Sequence, residues 1–257
     1  GFFGSEGTKL LLTFGRFYRE YPSPYVAGLP IIYVRPAIIS KFLIGLCLLV
    51  ASVITLSGAA KAQEARQEVT LVALGDSLTA GYGLAPADGF APKLETYLRA
   101  RGLAVRVVNG GVSGDTSSGG LARFDWAVPN EADAIIVELG ANDALRGINP
   151  DVTRANLTQI IEKSRARSLQ ILLAGMLAPP NLGPKYSEAF AGIYPDLARK
   201  YGVALYPFFL DGVAAQKSLN LADGIHPNAA GIDIIVSRIG PYAERLVSNV
   251  ISREKSK

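Results

Sequence analysis

The sequence predicts an α/β domain in which a parallel β-sheet is covered by helices on both faces. Three observations predict it. Short β-branched and aliphatic runs recur between residues 68 and 206, two of them closed by glycine. Segments with apolar residues at helical spacing lie between those runs. Strand and helix patterns alternate throughout, as crossover connections between parallel strands require. Hydrophobic residues make up 49% of the 257, enough for a substantial core.

The elements follow in order. Residues 68–75 (EVTLVALG) form a buried strand ending at Gly75. Residues 90–101 place Phe90, Leu94, Tyr97 and Leu98 on one helical face and stop at Gly102. A second strand is expected at 104–108. The Gly-, Ser- and Thr-rich stretch 110–120 reads as a loop entering a helix near Leu121. Residues 134–139 (AIIVEL) form a third strand, closed by Gly140. A helix at 153–167 precedes a strand at 170–174. Three prolines and a glycine make 177–184 a loop. A helix at 188–200, a short strand at 203–206 and a closing helix at 228–247 complete the pattern. No repeat, low-complexity segment or linker interrupts 64–250, so residues 63–257 are expected to form a single domain. Ligands bind such sheets beyond the carboxyl ends of the strands, and Ser77, 111–115 and Asn142 all fall just after strands.

Residues 1–62 read as a leader outside that domain. They hold six Lys or Arg and two Glu, whereas 63–257 hold twenty charges of each sign. The basic balance therefore belongs to the leader, and the body asks for no nucleic acid or acidic polymer. The apolar run 42–56 is fifteen residues long, short of the roughly 20 needed to span a bilayer. It fits a signal-peptide core, with Arg35 and Lys41 before it and Ala60-Lys61-Ala62 as a cleavage site before Gln63. An uncleaved anchor is the alternative. The expected mature chain is periplasmic or secreted, without stable membrane insertion. The chain begins at Gly1, and its one Met is Met176. The natural start is expected near Val34, with 1–33 untranslated or extraneous. Cys47 is the only cysteine and lies in the apolar run, so a mature chain has no disulfide, thiol nucleophile or Cys-zinc site. A single histidine, His226, excludes a multi-His metal centre. No cofactor or metal is expected.

A serine hydroxyl needs a base to take its proton, and histidine is the usual base near neutral pH. A carboxylate must orient the imidazole, and donors must face the developing oxyanion. Ser77 stands in Gly75-Asp76-Ser77-Leu78 at a strand-to-helix turn, where it also reads as a helix N-cap. Thr79 stands where an α/β-hydrolase elbow has its second glycine. His226 stands in Asp223-Gly224-Ile225-His226-Pro227. One turn there can bring Asp223 beside the ring, with Pro227 opening the next helix. Gly114, in Val112-Ser113-Gly114-Asp115-Thr116, reads as a turn glycine, with Asp115 or Thr116 capping the next helix. Asn142, in Gly140-Ala141-Asn142-Asp143, reads equally as a cap.

Taken in order, Gly75-Asp-Ser-Leu78, Asn109-Gly-Gly-Val-Ser-Gly-Asp-Thr116, Gly140-Ala-Asn-Asp143 and Asp223-Gly-Ile-His226 resemble the blocks of the SGNH (GDSL) hydrolase family. The resemblance runs from about Val69 to Val247. It is nearest the bacterial branch that includes thioesterase I/lysophospholipase L1 and periplasmic arylesterases. Ser77-Leu-Thr-Ala-Gly-Tyr82, Gly120-Leu-Ala-Arg123, Val137-Glu-Leu139, Leu145-Arg-Gly147 and Ala189-Phe190 add to it. The resemblance implies a three-layer α/β/α, flavodoxin-like sandwich. It implies Ser77 as nucleophile, His226 as base and Asp223 as orienting acid. The implied oxyanion hole is the backbone N–H of Ser77 and of Gly114 with the side-chain amide of Asn142. The implied activity is hydrolysis of small carboxylic esters, extending to thioesters and lysophospholipids, through an acyl-enzyme. The alternatives are a carbohydrate O-acetyl esterase, which the single Trp of the chain, Trp126, does little to support, and a binding module without catalysis.

Overall fold

The computed structural model of the chain describes residues 68–256, together with the two-residue strands Tyr25–Val26 and Leu29–Pro30, which pair antiparallel. The chain divides into two units, Gly1–Gln63 and Glu64–Lys257. The apolar run 42–56, Cys47, the start expected near Val34 and the cleavage pattern at Ala60-Lys61-Ala62 lie outside the described residues.

Five strands of the second unit form one parallel sheet. They are β1 (Val69–Gly75), β2 (Val105–Gly111), β3 (Ala134–Glu138), β4 (Gln170–Ala174) and β5 (Ala204–Tyr206). The order is β2-β1-β3-β4-β5. β1 and β3 are buried along their whole length, as continuous apolar runs covered on both faces should be. β2, at the sheet edge, alternates buried with open positions. One helical layer is α2 (Phe90–Arg99) with α9 (Ala229–Lys255), and α9 lies against β1, β3, β4 and β5. The other is α3 (Ser117–Ala122), α6 (Pro150–Ala166) and α8 (Ile193–Tyr201). The result is the three-layer α/β/α sandwich. The strand order turns back between β1 and β3, so the crevice for ligands opens at their carboxyl ends.

Several boundaries differ from expectation for local reasons. β2 runs to Gly111, because Asn109, Gly110 and Gly111 pair with Ala73, Leu74 and Gly75. α3 starts inside the expected loop: Thr116 caps it by accepting the Gly119 N–H, and buried Asp143 accepts from both the N–H and the hydroxyl of Ser117. The helix expected at 188–200 is two, α7 (Pro184–Ala191) and α8, broken at Gly192. Short helices α1 (Ser77–Ala80), α4 (Phe124–Ala127) and α5 (Ala141–Leu145) lack the length to show a periodicity. Pro227 does not open α9. It bridges to Asn220, and Asn228 caps the helix by accepting the Gly231 N–H at 3.0 Å.

Candidate active site

Ser77 is the first residue of α1, in the turn leaving β1. It is not the cap. The cap is Asp76, whose Oδ1 accepts the N–H of Leu78 at 3.0 Å, which leaves the Ser77 hydroxyl free of helix bonding. Ser77 Oγ lies 2.9 Å from His226 Nε2.

His226 and Asp223 lie in the loop before α9. Asp223 Oδ1 accepts the backbone N–H of Ile225 and of His226, each at 3.0 Å, and so winds the turn. Its Oδ2 lies 2.7 Å from His226 Nδ1. These bonds, led by that from the Ile225 N–H, hold the Asp223 carboxyl down to about 2. The turn is stapled at its base, where Leu221 N–H donates to the His226 carbonyl at 2.7 Å. The Tyr82 ring, at 4.4 Å between centroids, leans on the imidazole.

Gly114 lies in the loop after β2 with φ +85°. Among the described residues no acceptor pairs with the backbone N–H of Ser77 or of Gly114. Asp115, weighed as a cap, instead pairs with largely buried Arg123, which also donates to the Gly75 carbonyl at 2.7 Å. Asn142 does not cap either. It lies within α5, whose cap position is Gly140. Gly140 has φ +120°, and a Cβ there would run into the Tyr194 hydroxyl. The Asn142 amide donates to the Asp115 carbonyl at 2.9 Å and to Asp76 Oδ2 at 3.1 Å.

All five residues singled out in the sequence thus converge, four of them on one cavity of about 600 Å³. Ser77, Gly114, Asn142 and His226 line it, with Asp223 behind the ring. The wall is mostly apolar, including Leu78, Leu145, Met176, Leu177, Phe208 and Leu210. Sequence reasoning assigned no role to Asp76, Arg123, Glu138 or Tyr82. Among the described residues no group of three or more His, Cys, Asp or Glu is placed to hold a metal ion. A hydroxyl against a carboxylate-backed imidazole, with N–H donors nearby, is equipped for nucleophilic acyl transfer.

The model of the GDSL-like Lipase/Acylhydrolase family matches residues 73–234. Esterase TesA of Pseudomonas aeruginosa is 41% identical over 179 residues, covering 69% of this chain and 89% of that protein. Thioesterase 1/protease 1/lysophospholipase L1 of Escherichia coli is 37% identical over 181 residues, covering 70% and 86%. A crystal structure of TesA superposes with a TM-score of 0.66 at 40% identity, covering 69% of this chain and 99% of that one. The esterase EstA of Pseudoalteromonas, solved inhibited by monoethylphosphonate, superposes at 0.60 with 30% identity, covering 74% and 100%.

Proposed function

The chain belongs to the GDSL-like lipase/acylhydrolase family and is a carboxylic ester hydrolase, and we propose that it works through an acyl-enzyme on Ser77. The observation that carries this is the hydrogen-bonded line from Ser77 Oγ through His226 to Asp223, at 2.9 and 2.7 Å, opening into an apolar cavity. Ser77 Oγ attacks the ester carbonyl carbon while its proton passes to His226 Nε2. Asp223 keeps the other ring proton on Nδ1 and stabilises the imidazolium. The carbonyl oxygen becomes an oxyanion facing the N–H groups of Ser77 and Gly114 and the amide of Asn142. Collapse expels the alcohol or thiol, which takes the proton from Nε2. Water then gives a proton to Nε2 and attacks the acyl-serine. The second tetrahedral intermediate releases the acid and returns the proton to Ser77.

The cavity wall suits short to medium acyl chains, or aryl groups, better than polar sugars. Small esters, thioesters and lysophospholipids are the substrate class this supports. Trp126 is 74% exposed and not part of the lining. A fluorophosphonate is the direct test, since a phosphonate inhibits the Pseudoalteromonas relative. One adduct per chain is expected, on Ser77, with no turnover in Ser77→Ala. Labelling at another serine would sink the assignment.

We also propose export, on the strength of the apolar run 42–56 and the Ala60-Lys61-Ala62 pattern. No helix among the described residues is long and apolar enough to cross a membrane. N-terminal sequencing of periplasmic or secreted protein should begin near Gln63. Recovery of the intact chain in membranes would point to an anchor.

A further inference from the structure

Two carboxyl groups lie wholly buried beneath the Ser77 turn, and the acyl-transfer scheme uses neither. Glu138 is the last residue of β3, and Gly75 is its partner in β1. A Cβ at Gly75 would lie 2.6 Å from Glu138 Oε2, so the glycine is what admits the carboxyl beside the turn. Glu138 Oε2 accepts from the Thr79 hydroxyl at 2.8 Å and from the Asp76 N–H at 3.4 Å. Among the described residues its Oε1 meets no partner. Asp76 is satisfied differently: each oxygen accepts one N–H, Oδ1 from Leu78 and Oδ2 from the Asn142 amide.

We propose that Asp76 positions Asn142 for the oxyanion, and that the buried pair carries one negative charge, on Asp76, with Glu138 kept as the neutral acid. Two adjacent buried carboxylates cannot both ionise cheaply. Asp76 has an N–H on each oxygen and needs to donate nothing, the pattern of an ionised group. An ionised Glu138 would leave Oε1 as a bare buried anion, which a proton avoids. Burial pushes Asp76 up to about 6 and Glu138 well above the usual carboxylate range, the latter helped by the Asp76 charge. His226 and Asp115 are the other charged groups that act on Asp76, while burial, helped by the pair's charge, holds the Tyr194 phenol neutral.

The positioning follows from the donors. Asn142 has two amide hydrogens, one on the Asp115 carbonyl and one on Asp76. Arg123 fixes Asp115 from behind by pairing with its carboxylate. The amide plane is therefore set from both sides before substrate arrives, and the oxyanion then takes the hydrogen that the Asp115 carbonyl held while Asp76 keeps the other. Asp76→Asn would turn an amide NH₂ toward either the Leu78 N–H or the Asn142 amide, donor against donor. Asn142 would lose its hold.

The test rests on Asn142 as an oxyanion donor, and its arms keep the two ideas apart. Asp76→Asn should lower kcat as Asn142→Ala does, by about 10²–10³, with KM little changed. The double variant should fall no further than Asn142→Ala, because both lesions remove one function. Losses that multiply, or an Asp76→Asn enzyme with full kcat beside an impaired Asn142→Ala, would overturn the positioning role alone. Full kcat in Asn142→Ala would overturn the oxyanion reading itself. Glu138→Gln tests the proton. A carboxyl raised above its unfolded value stabilises fully below the unfolded value, and that contribution is lost as pH rises toward the folded one. The melting temperature of the Gln variant should therefore fall less steeply than wild type above about pH 4.3, the unfolded Glu value. Parallel curves would show that Glu138 carries no proton, and would overturn the one-charge arrangement.

Discussion

Replacing Asp223 by asparagine isolates what its charge does, because the structure lets the loop survive the change. Oδ1 of Asp223 holds the turn through the N–H groups of Ile225 and His226, and an amide oxygen can keep both bonds. Oδ2 faces His226 Nδ1 at 2.7 Å. An amide NH₂ there is a donor, so the ring must offer it a lone pair at Nδ1. The ring proton then moves to Nε2, which points at Ser77 Oγ and can no longer accept from it. Where this tautomer switch has been imposed on a Ser-His-Asp site, kcat drops by about 10⁴, and a loss of about 10³–10⁴ is expected here, with KM changed little. The assay is steady-state turnover of a p-nitrophenyl ester, beside a melting curve on the same protein. Because Asp223 is held down to about 2 in the folded chain, it stays ionised through any practical assay range. Asp76, raised to about 6, is the carboxyl that protonates within that range, so wild-type kcat should fall as pH drops through about 6 and Asn142 loses its hold. A folded Asp223→Asn enzyme within tenfold of wild-type kcat would refute the orienting role.

Two further substitutions probe neighbours of the reacting atoms. Asn142→Ala should cost stability as well as turnover, because it strips a donor from buried Asp76; about 1–3 kcal/mol is expected by chemical denaturation. A destabilised variant with unimpaired kcat would remove Asn142 from the site. Tyr82→Leu takes an aromatic face away from the imidazole, 4.4 Å distant between centroids, on which positive charge develops during the reaction. A contact of that kind, half exposed, is worth about 0.5–1 kcal/mol, so kcat should fall about two- to fivefold and Tyr82→Phe should restore it. Equal rates in the Leu and Phe variants would dismiss the aromatic contribution.

The sheet was legible because its central strands are buried on both faces. Residues 69–75 and 134–138 contain little but apolar residues over five to seven positions, and no helix hides in so short a run. The order of strands was not legible. Nothing in 134–138 says that it pairs with β1 rather than with β2; the handedness and packing of the crossovers decide that. Short helices escaped because one turn of chain shows no period, and α7 with α8 merged because Gly192 alone is a weak break. Glu138 left a trace in the sequence. A single charged residue in an otherwise apolar strand is either at the strand's end or buried for a reason, and here it is both.

The residues at the site were harder to separate, because the switch-point turns are built from side chains with the same local chemistry. Asp76 and Ser77 are both good caps, and so are Asp115 and Thr116. Composition gives no ground for choosing between neighbours. The fold chooses by direction. At the end of β1 the cap falls to Asp76, and the next residue, Ser77, is turned toward His226. After β2 the cap falls to Thr116, which leaves Asp115 to pair with Arg123 and to lend its carbonyl to Asn142. After β3 a glycine takes the cap position, which leaves the Asn142 amide unspent on its helix. The turns after β1 and β2 therefore give the cap to one residue and leave its neighbour free for other bonds, while after β3 no side chain caps at all. A cap reading and a catalytic reading of the same few letters were never exclusive; they describe neighbouring residues in one turn. This division explains why substitutions at Asp76 and Asn142 should be felt in turnover: Asp76 caps α1 with one carboxylate oxygen and holds the Asn142 amide with the other.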